Sequence, residues 1–452
     1  MDDQFRPGPR PTPRPARRGV AVLVSALALT VTGTLAACSP ETGAPAGAPS
    51  PAADQKDGTP GEVWSTGLNG DGQLGRPRND VDVALGPVVA GQGRHLTDVV
   101  AVAAGDRHSL ALTKQGRVMA WGANANGQLG NGTGKPSFAP VAVRAPGGAS
   151  ELQDVTAIAA SGGLSMALRR NGSVVTWGSN GHGQRGSGSR KSSKFPTLVR
   201  SATGRGALTG VTAIAAGDHN GLALLRGGAV VAWGSNRAGL LGDGGGRDRG
   251  LPGPVRGAGG SGRLAGVAQI SVGSKHVLAR LGDGRVLTWG ANDRGQLGDG
   301  TGRPRTVPGA VADPGGGGLD EVTFVAAGGK HNYAVHRDGT VLAWGDNANG
   351  QLGNGTTKPA PRPVHVAGTH TESLRGVSRM GAGQGYGVAV LVGGSALTWG
   401  VASKGQLGSG NRVARTRPGP LVAAKGARIS TITNLAAGAR HLLLLVRPRG
   451  TE

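Results

Sequence analysis

Apolar residues in this chain come in short runs, and no stretch sustains the 3.6-residue period of a long amphipathic helix. The runs flank small dipeptides at even intervals: Gln115-Gly116, Asn171-Gly172, Gly227-Gly228, Asp283-Gly284, Asp338-Gly339 and Gly393-Gly394. Asn-Gly, Asp-Gly and Gly-Gly accept the positive φ angles of a two-residue turn, so each pair with its apolar flanks predicts a tight β-hairpin.

Each hairpin is bounded by two landmarks. On one side stands a block such as AAGDRHSLAL (103–112), with counterparts AASGGLSMAL (159–168), AAGDHNGLAL (215–224), SVGSKHVLAR (271–280), AAGGKHNYAV (326–335), GAGQGYGVAV (381–390) and AAGARHLLLL (436–445). On the other stands a tryptophan followed by a polar corner, as in WGANANGQLGNGT (121–133). The tryptophans are Trp64, Trp121, Trp177, Trp233, Trp289, Trp344 and Trp399, a nearly constant step along the chain. The interval from the third residue of a block to the next tryptophan is identical in the first six blocks, as from Gly105 to Trp121 and from Gly328 to Trp344. Insertions fall in the longer arm, which carries Pro and Val segments such as APVAV at 139 and then a run such as VTAIAA. These supply two further strands, making four per repeat. A four-stranded sheet repeated seven times leaves faces to bury, and radial closure buries them. The expected fold is all-β, a seven-bladed β-propeller of four-stranded blades. The last block would place its tryptophan beyond Glu452, whereas GEVWSTG (61–67) has no block before it. The N-terminal strand is therefore expected to complete the C-terminal blade and close the ring.

The W-G-x-N-x-x-G-Q-L-G corner and the A-A-G-x-x-H-S-x-A-L strand resemble the regulator-of-chromosome-condensation repeats over roughly residues 61–446. The resemblance implies the seven-bladed propeller. It says less about function, because this superfold hosts unrelated activities. One branch of the family is a nucleotide-exchange factor for a small nuclear GTPase and binds chromatin, and a secreted bacterial branch inhibits β-lactamases.

The corners are read as turns, since NANG and NGDG lack the bidentate Glu of a calcium loop. GAGGSG (257–262) lacks the strand and helix of a dinucleotide site, and GNGTGKP (130–136) lacks a phosphate loop's first Gly and final Ser/Thr. His108, His276, His331 and His441 share one repeat position, where hydrogen bonding is expected and metal ligation is not, because residues on separate blades rarely converge on one ion. No HExxH or GxSxG motif is present. No catalytic residue, metal or cofactor is expected, and the chain is not expected to be an enzyme.

The segment before Gly61 is of another kind. Arg14, Arg17 and Arg18 precede a short apolar run from Val20 to Val31 and then Leu35-Ala36-Ala37-Cys38. A run that short fits a signal-peptide core, and the ending resembles a bacterial lipobox in which Cys38, the one cysteine of the chain, is lipidated. The expected organisation is a lipoprotein signal peptide (1–37), a lipidated Cys with a Pro/Ala/Gly-rich tether (38–60), the propeller (61–447) and a tail (448–452). Arg17-Arg18 leaves open whether export is general-secretory or twin-arginine. The expected location is the outer face of the bacterial cytoplasmic membrane.

The formal net charge is +23. Outside a cell such charge suits anionic lipid head groups or wall polymers, making nucleic acid an unexpected partner. In each blade the turn before the shared His and the W-G-x-N corner should lie on one rim. Arg107, His219, Lys275, Lys330 and Arg440 would gather there near the shaft, with Tyr386 as the one aromatic. The first functional expectation is a monomeric, envelope-anchored interaction module for a protein or an anionic polymer. The alternatives are inhibition of a secreted hydrolase, disfavoured by the lack of aromatic anchors in the turns, and nucleotide exchange, resting on the family resemblance alone.

Overall fold

The computed structural model describes residues 60–77, 79–368, 373–424, 429 and 431–447. Cys38, the 1–37 segment and most of the tether lie outside these residues, as does the 448–452 tail. The first six strands are β1 (Glu62–Leu68), β2 (Val81–Pro87), β3 (Val99–Ala104), β4 (His108–Thr113), β5 (Val118–Gly122) and β6 (Ser137–Ala142). β3 to β6 form the first blade, paired in chain order and antiparallel throughout. Five further sheets repeat that order.

The seventh sheet joins the ends of the chain. Its order is β2, β1, then His441–Val446 and Ile432–Ala437. Trp64 stands opposite Leu444 and Gly67 opposite His441. The ring is thus closed by the N-terminus, with two strands where one was expected. The extra one is β2, because the Pro-and-Val strand follows the tryptophan strand in every repeat and the last repeat lacks both.

Side-chain type tracks distance from the axis. Innermost strands such as VVAVAA (99–104) converge on the shaft, which is lined mainly by Ala and Gly with single aliphatic residues such as Ile158 and Met380. The two central strands of each blade are covered on both faces by neighbouring blades, so HSLALT and VMAWG are almost wholly buried instead of alternating. Outermost strands such as SFAPVA are half-exposed and carry Pro, which an edge strand tolerates and a central one does not.

The corner after each tryptophan wedges between blades. Leu129 of the quoted corner is fully buried, and its cluster includes Leu110 and Val143 of its own repeat and Trp177 of the next. Asn124 Oδ1 accepts the Leu129 amide at 2.9 Å while Nδ2 donates to the Thr133 and Lys135 carbonyls, which folds the loop back on itself. The indole N–H of each buried tryptophan donates across the blade boundary to the preceding corner: Trp121 to the Gln73 carbonyl at 2.9 Å, Trp177 to Gln128 at 2.8 Å, Trp233 to Gln184 at 2.8 Å, Trp289 to Leu240 at 3.0 Å, Trp344 to Gln296 at 3.2 Å and Trp399 to Gln351 at 3.1 Å. Trp64, expected to share this role, does not: the seventh blade fills the slot with Thr66, which stands opposite Leu442 and donates to the Gly405 carbonyl at 3.0 Å, while Trp64 lies two residues earlier, half-buried, its indole without an acceptor among the described residues. Glycine must follow this slot: Gly122 has φ of 104° and a Cβ there would stand 2.5 Å from the Arg107 carbonyl, and Gly67, after Thr66, has φ of 117° with a Cβ 2.5 Å from the Arg440 carbonyl.

Candidate functional site

The turn from β3 to β4 (105–107) and the corner from β5 to β6 open on one rim, here the first rim. The β4–β5 hairpin turn lies on the opposite rim. That opposite rim also carries the link from each outermost strand to the next blade: the Lys114 amide of the hairpin donates to the Asp98 carbonyl just before β3, and the Arg170 amide to the Asp154 carbonyl in the next repeat.

The histidine position is built into the wall. His108, His276, His331 and His441 are fully buried at the start of the second strand of their blades. His108 Nε2 lies 2.8 Å from Ser165 Oγ, His276 Nε2 2.6 Å from Asn332 Oδ1, and His441 Nε2 2.9 Å from Ser109 Oγ. In each case the partner is the second residue of the same strand in the next blade. His331 faces Gly387 in that register and finds no side-chain partner among the described residues. Burial holds all four imidazoles neutral, pushing His108 and His276 down to about 4 and His331 and His441 to about 3.

Tyr386 occupies the same position and is likewise buried, its hydroxyl donating to the His441 carbonyl at 2.8 Å. It does not offer an aromatic at the rim, because it starts a central strand covered on both faces.

The cationic positions are on the first rim, but they do not form a simple basic ring. Arg107, His219, Lys275 and Arg440 are exposed and Lys330 half-exposed. Arg107 pairs with Asp71, and Lys330 with Asp293 at 2.7 Å, both carboxylates belonging to the corner of the preceding blade. His219 leans on His182 with ring centroids 4.9 Å apart, and His182 Nδ1 is 2.8 Å from Asp248.

The shaft opens at this rim as a cavity of about 210 Å³ whose walls are the innermost strands of all seven blades. Its charged lining residues are Asp106 and Asp218, and no Lys, Arg or His joins them. These two come from the first and third blades. The second blade between them turns through Gly162, with φ of 54°, where a Cβ would stand 2.6 Å from the Asp218 carbonyl. Ser161 Oγ donates to Asp218 Oδ1 at 2.9 Å. Burial, and then the Asp218 charge, raise the Asp106 carboxyl to about 6, against a hydrogen bond from the Gly162 backbone and the charges of Arg440 and Arg107. The sequence reading missed this acid pair. Its signal is the Asp after AAG in the first and third blocks. Among the described residues no group of three or more His, Cys, Asp or Glu could hold a metal ion.

A closed ring of seven four-stranded blades, joined by tryptophan-to-corner bonds and presenting one variable rim, defines a repeat propeller. The chain belongs to the RCC1-like family: residues 52–385 match the RCC1-like domain and residues 393–445 the regulator of chromosome condensation (RCC1) repeat. It is 31% identical to mouse (Mus musculus) E3 ubiquitin-protein ligase HERC2 over 73% of this chain and 6% of that protein. It is also 31% identical to the ultraviolet-B receptor UVR8 of Arabidopsis thaliana over 65% of this chain and 63% of the receptor. The chain therefore spans less than two thirds of these relatives. Among solved structures, human WBSCR16 superposes with a TM-score of 0.71 at 22% identity, covering 86% of this chain and 99% of that one. Prp20p from Saccharomyces cerevisiae, whose structure was described together with its binding to Gsp1p and histones, superposes with a TM-score of 0.69 at 22% identity, covering 87% and 93%. These two likenesses show the fold. Members of this family are protein-interaction modules.

Proposed function

We propose that the protein is an exported, membrane-tethered binding module that docks a protein partner on its first rim, over the shaft mouth, without catalysing a reaction. The observation that carries the reading is the alternation of charge there. Arg107 with Asp71, Lys330 with Asp293 and His182 with Asp248 are cross-blade or corner pairs around a mouth holding Asp106 and Asp218. A polyanion follows uniform positive potential and would meet carboxylates at this mouth, whereas a protein surface can match opposed charges one for one. The tether reading rests on the Arg-rich, apolar and Leu35-Ala36-Ala37-Cys38 pattern of the N-terminus. Prp20p, with its binding to Gsp1p and histones, is an example of a protein partner for such a ring.

The inhibitor reading draws no support from the rim, because the turns before the shared position carry no aromatic residue and Tyr386 is buried. Ligase activity belongs to the relative so named, of which this chain matches 6%. Changing Arg107, Lys275, Lys330 and Arg440 together to Ser should abolish capture of the partner from envelope extracts by the immobilised protein. Capture of the same band by the folded variant would sink the proposal.

A further inference from the structure

The corner of the second blade departs from the other six at one residue. Where they place Leu74, Leu129, Leu241, Leu297, Leu352 and Leu407, all fully buried, GQRG at 183–186 places Arg185. The backbone is unchanged: the Arg185 amide still donates to Asn180 Oδ1 at 2.9 Å, and Trp233 still donates to the Gln184 carbonyl. The guanidinium therefore sits in a leucine slot and is only 4% exposed. Nη1 donates to the Lys191 carbonyl at 2.7 Å and Nη2 to Thr197 Oγ1, while Nε has no acceptor among the described residues. Burial lowers its pKa to about 10, and no neighbouring carboxylate opposes that.

The third and fourth blades show what is missing. There an Arg at the start of the outermost strand meets an Asp two residues after the buried leucine: Arg249 with Asp243 at 3.4 Å, and Arg305 with Asp299 at 2.8 Å. In the second blade both positions are serine, Ser193 and Ser187. Here the cation stands one step further in, at the leucine position, and Ser187 stands where those two blades have the carboxylate. Ser187 Oγ is buried without a partner among the described residues. These groups line a cavity of about 680 Å³ at the outer edge of the blade, to which Lys191 and Arg200 add further positive charge and no residue adds a negative one.

A buried guanidinium without a counter-ion is costly, and a ligand that supplies the missing charge relieves that cost. We propose that this cavity is a binding site for a phosphate group, whose oxygens take the place of the missing carboxylate, accepting from Arg185 and Ser187 with Lys191 and Arg200 at the opening. A tetrahedral anion suits this set better than a planar one, since guanidinium and hydroxyl donors surround it from several directions. Arg185 and Ser187 belong to a first-rim corner, but the site opens along the outermost strand and shares no residue with the shaft mouth, so either reading can fail without the other.

The test is calorimetric titration of the full chain in detergent with inorganic phosphate and, separately, with glycerol phosphate, at matched ionic strength. Saturable binding is expected. Arg185→Leu restores the residue of the other six corners, so the ring should fold, and it should weaken binding by about tenfold to a hundredfold, the usual worth of hydrogen bonds to a charged group. Ser187→Asp supplies the internal carboxylate of the third and fourth blades and should compete the ligand out to a similar degree. Tighter binding of glycerol phosphate would mark a phosphate carried on an organic group as the ligand, and tighter binding of inorganic phosphate the free anion. No saturable binding by the wild type, or equal binding by wild type and a folded Arg185→Leu, would overturn the proposal.

Discussion

At the scale of single residues, the ring is held by two repeated cross-blade bonds, and both can be tested against a natural control. The Trp177 indole bonds the Gln128 carbonyl, whereas the seventh blade holds Thr66 in that slot and leaves Trp64 two residues outside it, with no acceptor for its indole among the described residues. Trp177→Phe should therefore destabilise by about 1 to 3 kcal/mol, from the lost hydrogen bond and packing, and Trp64→Phe by clearly less; equal midpoints in urea would contradict the cross-blade role. The histidines give a pH dependence. Their folded pKa values, about 4 for His108 and His276 and about 3 for His331 and His441, lie below the ordinary 6.5. Only the unfolded chain takes up these protons as pH falls from 6.5 towards 4, so stability is full above that window and is lost within it, on the order of 1 kcal/mol per histidine per pH unit. Asp106, raised to about 6, runs the other way, its contribution fading as pH rises through that value, but it is one group against four. Melting temperature should fall on acidification through this window. His108→Asn with His276→Asn, the residue Asn220 already holds in the third blade, should flatten the fall; an unchanged slope would remove the histidines from the account.

At the scale of elements, the seventh blade decides whether the ring is a ring. β1 bonds His441–Val446 on one side and β2 on the other, so it is the link through which both N-terminal strands are held. Deleting residues 61–68 should strip β2 of its partner as well and lower the melting temperature far more than deleting residues 39–56 of the tether. Equal melting temperatures for the two truncations would show that the clasp contributes nothing.

At the scale of the molecule, the proposed placement depends on Cys38. A single acyl chain gives only marginal membrane binding, with an association constant of about 10⁴ M⁻¹, so stable attachment needs the multiple chains that lipobox processing would provide. Cys38→Ala should move the protein from the detergent phase to the aqueous phase or leave it uncleaved. Unchanged partitioning with normal processing would refute the anchor. The positive charge of the whole chain is a poor guide to the first rim, because part of it is neutralised there by pairs such as Arg107 with Asp71.

The sequence by itself determined the blade count, the four strands of each blade, the hairpin positions and closure from the N-terminus. Those properties rest on turn chemistry and on the near-constant step from one tryptophan to the next, and the repeated copies average out local ambiguity such as Trp64, which stands two residues out of register with the other six. Closure was legible because the last repeat runs out of chain before its tryptophan, although the second clasp strand had to be seen. Only the tertiary structure decided which polar groups meet. Asp106 and Asp218 belong to repeats that are not neighbours in the chain, and they face one shaft because Gly162 lets the turns of three blades close together. Tyr386 reads as a rim aromatic by position and is buried because neighbouring blades cover its strand on both sides. The exception at Arg185 is visible as one letter in GQRG. That its guanidinium is held in a leucine slot at the wall of a cavity without a carboxylate follows only from how the chain packs, since burial and counter-charge are properties of neighbours in space.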